Sequence, residues 1–201
     1  MSSDVKSTFI SAAVADPNGI SVAAAVGNNA ALTIGGALAA GGAVVFDQPR
    51  NVTILSAGDD RNKSFTVVGK DELGAAVSES ITGVNASTAT GTQHFSTIAS
   101  ITAVGDPAGD VSAGSGTSIV APMFAGRMRL RGIYAVNTAT AGTISFRNAN
   151  ASGAIEMQFN TMAAANTAEY PDIPEDGLLF KDGGYVAYTQ PTLSSLTVFF
   201  A

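Results

Sequence analysis

The sequence predicts an all-β protein, made of β-sandwich or barrel units of jelly-roll-like kind with little helix. Three observations predict it. Apolar and polar residues alternate in short runs, most clearly Asn51–Ser56, Ser64–Gly69 and Ala75–Ile81, and a period of two is the strand signal. Turn-forming clusters, AGDDRNK and KDELG, separate those runs. Toward the C-terminus further short strand-like runs recur about every 8–12 residues, the spacing of a sandwich or barrel.

In chain order, residues 1–19 read as an N-terminal arm. They are polar and end in the turn Asp16-Pro17-Asn18-Gly19. An arm of this kind frays unless something ties it down, and the expectation is that another subunit holds it, Met1 included. Residues 20–120 read as a β-sandwich-like domain. Its opening, residues 20–46, is rich in alanine, which favours helix, but the pairs Gly35-Gly36 and Gly41-Gly42 oppose it. Short strands at Ala31–Ile34 and Ala43–Phe46 fit better, with a short helix near Val22–Val26 left open.

Phe46–Gly83 organises the rest. Pro49 precedes the first strand, where its missing N–H does no harm. Val52, Ile54, Phe65, Val67, Val77 and Ile81 can share one face, so the three runs read as a β-meander. Lys70–Gly74 reads as a hairpin loop closed by a glycine at positive φ. Asn85–Thr92 reads as a loop, and Gln93–Phe95 and Ile98–Val104 as short strands. Val111–Ser118, with Gly114 and Gly116, reads as a linker. Residues 121–201 then form a second β-rich domain. Its strands are expected at Arg127–Val136, Thr143–Phe146, Ala154–Phe159, Leu178–Phe180, Tyr185–Thr189 and Ser195–Phe200. The closing SLTVFF would aggregate as a bare edge, so it is expected inside a sheet.

Composition narrows function. Charged residues are 13% of the 201, about half the usual 25%. A surface of Ser, Thr, Asn, Gly and Ala is easier to explain if much of it is covered by other subunits. The net charge of −6 argues against nucleic acid, which needs clustered Lys and Arg. The one basic cluster, Arg127, Arg129 and Arg131, reads as a polar strand face paired with acidic neighbours. With no cysteine there is no disulfide framework and no thiolate metal site. The N-terminal stretch lacks the basic and apolar regions of a secretion signal. The uncharged Gly19–Phe46 is too weakly hydrophobic for a membrane span.

Four places in the sequence could carry chemistry. His94 is the sole histidine, and no GxSxG elbow or HExxH accompanies it. Asp59 and Asp60, with Asp71 and Glu72, could face each other across one end of the sheet around a hard cation, but Arg61, Lys63 and Lys70 lie among them. Asp172, Glu175, Asp176 and Asp182 form a second acidic group. Beside it, Tyr170, Tyr185 and Tyr188 are the only aromatic platforms for a sugar. The glycine pairs lack the Lys-Ser/Thr of a phosphate loop. No catalytic, cofactor-binding or metal-ligating set follows, and no cofactor is expected.

Two segments carry a resemblance. PRNVTILSAGDD, SFTVVGKDELGAAVSESITG and HFSTIASITAVGDPAGDVSAG, within residues 49–114, resemble tailed-bacteriophage virion proteins. So do GTISF, AIEMQF, IPEDGLLFKDGGYVAYT and LTVFF, within residues 142–200. The resemblance implies a non-enzymatic structural role on the particle. The first expectation is a decoration (cement) protein on the capsid surface, assembled in the host cytoplasm. Its partner would be the major capsid protein, and it would form a homo-oligomer, a trimer by family type. The alternative is a tail, head-fibre or adhesion component binding a host glycan near Tyr170, Asp172, Glu175, Asp182 and Tyr185. The motifs are turn-and-strand patterns and carry no binding residues with them.

Overall fold

The computed structural model describes residues 4–11 and 13–201. Every regular element among them is a strand. These are β1 (Lys6–Ile10), β2 (Ser21–Ala24), β3 (Ala39–Ala40), β4 (Ala43–Ser56), β5 (Ser64–Lys70), β6 (Ala76–Thr82), β7 (Thr88–Thr90) and β8 (Phe95–Val104). They continue with β9 (Val111–Phe124), β10 (Met128–Asn137), β11 (Gly142–Asn148), β12 (Ile155–Thr161), β13 (Ala168–Glu169), β14 (Leu178–Phe180), β15 (Gly184–Thr189) and β16 (Leu193–Phe200). The protein is all-β and sandwich-like, with large antiparallel sheets. The helix left open near Val22–Val26 does not form; β2 occupies most of that stretch. Ala31–Ile34 is no strand either, contributing one isolated bridge, Ala31 to Thr102.

The chain divides into two compact units. One is Ala15–Thr117, and the other joins the chain up to Val14 with Ser118–Ala201. Each has its own apolar core. Strand β9 carries the chain from one to the other. The stretch read as a linker is therefore the first half of a strand, and residues 111–116 are all buried. Gly114 and Gly116 are there for proximity: a Cβ at Gly114 would overlap the backbone of Asp16 and Pro17, and one at Gly116 the amide of Asn51.

In the unit Ala15–Thr117, Val52, Ile54, Phe65, Val67 and Ile81 are buried on one face with Phe95, Ile98 and Ile101. Val77 packs at the margin. The shared face predicted from alternation is present, but the meander is not. β8 pairs with both β4 and β5 and separates them. The β5–β6 hairpin is regular over seven pairs, and Gly74 closes its loop at φ 81°. Beyond β6 the chain bends: Gly83 donates its N–H to Lys63, Ala86 to Gly58, and residues 88–90 then pair with β4. One ribbon, residues 76–90, thus serves β5 first and β4 second. Pro49 lies inside β4, at the register shift between Val45 and Arg50, where a ladder tolerates proline.

The other unit is a two-layer sandwich. One layer is ordered β1-β16-β10-β13, with β14 also on β10. The other contains β12-β11-β15 with the second half of β9. Ile10, Leu196, Val198, Phe200, Leu130 and Ile133 from the first layer meet Ile119, Ala121, Ile144, Phe146 and Val186 from the second. The closing strand lies inside its sheet, between β1 and β10. The arm was expected to be held by another subunit. Its residues Lys6–Ile10 are instead paired over five positions with Leu196–Phe200 of the same chain. Met1 lies outside the described residues.

Candidate interaction surface

The acidic pairs of the first unit do not converge. Asp59 and Asp60 precede β5 and Asp71 and Glu72 follow it, and a seven-residue strand separates its ends by about 20 Å. Each is committed locally. Asp59 is exposed and pairs with Arg61 at 2.6 Å. The Arg61 guanidinium, through that hydrogen bond first, holds the Asp59 carboxyl below the ordinary range. Asp71 Oδ1 accepts the N–H groups of Leu73 and Ala75 at 2.9 and 2.8 Å and shapes the hairpin loop. Asp60 differs from its exposed neighbour Asp59. It is fully buried, accepts the Ser56 hydroxyl, and accepts the Ala108 N–H at 2.8 Å.

The second acidic group is also dispersed. Asp176 and Asp182 bracket β14. Asp182 trades two hydrogen bonds with Asn148, both 3.1 Å. Arg129 and Arg131 do face the 172–177 loop, but they donate to its carbonyls, at Asp176 (3.0 Å) and Glu175 (2.8 Å), and not to its carboxylates. With Arg127 they line a shallow cleft of about 310 Å³. Tyr185 and Tyr188 are core residues, 2% and 5% exposed, so they offer no platform to a sugar. His94 is half-buried ahead of β8, beside the buried Phe95. Among the described residues no three His, Cys, Asp or Glu side chains gather around a possible metal position.

One further polar site comes from the fold alone. The bend between β6 and β7 encloses a groove of about 620 Å³, lined by Ser80, Thr82, Thr88, Thr90, Thr92 and Glu79. Glu79 Oε1 accepts the Thr92 N–H at 2.6 Å, the Thr92 hydroxyl at 2.9 Å and the Gln93 N–H at 3.3 Å. Oε1 thus holds the chain after β7, while Oε2 is buried without a hydrogen-bond partner.

The surface that stands apart lies on the solvent face of the β1-β16-β10 layer. Register aligns Phe9 with Thr197 and Thr197 with Tyr134; the next row is Ser7, Phe199 and Gly132. Residues two apart on a strand share a face, so Phe9, Phe199 and Tyr134 all point away from the core. Phe9 is 66% exposed, and Phe199 and Tyr134 remain more than a third exposed. The Phe199 ring lies over Gly132. Tyr170, 69% exposed, extends the patch from the end of β13, its ring 5.1 Å from that of Tyr134. Partial desolvation of the Tyr170 hydroxyl, with the Tyr134 hydroxyl beside it, raises its pKa above the ordinary phenol value. Neither row contains a charged side chain. Of these residues only Tyr170 was singled out from sequence. The available signal was the alternation in SLTVFF, which turns Thr197 and Phe199 one way and Leu196, Val198 and Phe200 the other.

No protein-family model, curated protein or solved structure matches the chain.

Proposed function

We propose that this chain is a non-enzymatic structural protein of a tailed-bacteriophage virion, one that decorates and stabilises the capsid by binding the major capsid protein. One observation carries the structural part of the reading. Several of the charged side chains are committed within the fold: Asp60, Asp71, Glu79, Asp182, Arg129 and Arg131 each fasten a loop or turn. Beside these the surface offers two areas poor in charge, an aromatic sheet face and a groove whose hydroxyl and apolar lining holds one carboxylate, Glu79. Such surfaces suit broad contact with another protein, where aromatic residues are enriched and charges depleted at the centre. The placement on a phage particle is supported by the resemblance of residues 49–114 and 142–200. A stable attachment would bury at least about 1,000 Å² per contact.

Cryo-electron microscopy of the phage encoding this chain tests the proposal. Copies distributed over the shell are expected. Density confined to the tail vertex, or particles lacking the protein, would reject it.

A further inference from the structure

We infer that the aromatic face of the β1-β16-β10 layer is a self-association surface, pairing two copies of this chain about a two-fold axis. The patch is continuous: Phe9 and Tyr134 flank Thr197 in one row, Phe199 lies diagonal to both in the next, and Tyr170 packs on Tyr134. With an aromatic residue presenting about 150–250 Å², the four exposures amount to roughly 300–500 Å² of ring surface. That is the size of the largest apolar patch on an ordinary monomer, and patches of that size are often functional.

Area and charge select the occupant. Two copies meeting face to face would cover about 600–1,000 Å² from these rings alone. The intervening Ser7 and Thr197 bring the total to the low end of specific interfaces, near 1,000 Å². The chain carries a net charge of −6, so like copies repel over most of their surface. The rows Phe9–Thr197–Tyr134 and Ser7–Phe199–Gly132 hold no charge and can approach without that cost. The face is formed by three adjacent strands, β1, β16 and β10. A face that meets its own copy about a two-fold axis gives an isologous contact, which closes after two subunits. The dimer is therefore weak and concentration-dependent. It stands independently of the virion proposal: particles can lack the protein while the pairing persists.

Sedimentation velocity over a concentration series of the full chain tests it. The wild type is expected to move from 20.1 kDa toward twice that mass. Phe9→Ser combined with Phe199→Ser should raise the dissociation constant at least about tenfold. Both substitutions fall in strands, so Tyr170→Ala, outside any strand, serves as the second variant and should weaken pairing while the thermal melt stays unchanged. A wild type that is monomeric at high concentration, or trimeric, overturns the inference. So does a dimer that survives both variants.

Discussion

The carboxylate of Asp60 accepts the backbone N–H of Ala108 at 2.8 Å, across 48 residues of chain. Its other oxygen accepts the Ser56 hydroxyl, and its own N–H and C=O pair with Val84 and Lys63. One buried side chain thus fastens the 57–63 connection to the turn after β8. Asp60→Ala would leave the buried Ser56 hydroxyl and the Ala108 N–H without this acceptor. Unfolding in urea is expected to show a loss of about 3 kcal/mol. Asp59→Ala, at the exposed neighbour, should stay within about 0.5 kcal/mol. Equal midpoints for the two variants would remove Asp60 from this role.

Gly114 and Gly116 give a second test, since a linker and a packed strand respond oppositely to alanine. In a flexible linker, Gly→Ala is neutral or mildly stabilising, by up to about 1 kcal/mol. In β9 an added Cβ meets the Asp16–Pro17 backbone at one position and Asn51 at the other. The expected cost is about 1–3 kcal/mol each, as for overpacking a core. It should be larger at Gly114, where backbone rather than a side-chain amide must move. Gly27, with open space around its Cα, is the control and should tolerate alanine.

These two sites also mark where the sequence stops being readable. Strands with large alternating residues were legible: Leu178–Phe180 is found as expected, the strands near Thr143, Tyr185 and Ser195 extend by one or two residues at an end, and the one expected from Ala154 begins at Ile155 and ends two residues later than Phe159. The buried set around Phe65 and Val67 followed from period two. Val111–Gly116 was not legible, because SAGSG is small to allow backbone approach and that composition looks like a linker. The meander failed for a different reason. Alternation fixes which side a residue faces but not which strand lies next to it, and β8 reaches its place from some thirty residues downstream of β5. The aromatic face required that same pairing. Phe9, Tyr134 and Phe199 are far apart in sequence, and only the β1-β16-β10 register makes them neighbours.

Arg50 supplies a third prediction. It is 1% exposed, pairs with Asp47 at 2.6 Å, and sits 5.7 Å from the Phe46 ring centre. A buried guanidinium is costly to leave without its charge partner and less costly to replace by an apolar side chain of similar length. Asp47 is itself partly in water, with 39% of its side chain exposed, which screens the pair and trims the penalty. Asp47→Ala should therefore cost about 2–3 kcal/mol, toward or below the lower end for a fully buried pair. Arg50→Met should cost less than Arg50→Ala, which adds a cavity. Chemical denaturation of the three variants gives the order. Arg50→Met as damaging as Arg50→Ala would place the stabilisation in the charge rather than in the packing.

Tyr134 and Tyr170 allow the aromatic face to be read by titration. Partial desolvation raises the Tyr170 pKa, and the Tyr134 hydroxyl beside it adds to the rise. A folded-state pKa above the unfolded one favours the neutral phenol. The linked stabilisation is therefore present below the ordinary tyrosine range and is lost as pH rises through the raised value. Tyr170 is exposed, so its ionisation and not the stability of the fold is the quantity to follow. Ring-labelled tyrosine NMR across the alkaline range should show the Tyr170 resonance titrating late. Tyr134→Phe keeps the ring and removes the hydroxyl, so it should bring that resonance part of the way back. Tyr134→Ala removes the ring contact as well and should bring it further toward the ordinary range. If Tyr134→Ala left the late titration in place, Tyr134 would not be its cause, and the packed pair that extends the aromatic face beyond β10 would have to be abandoned.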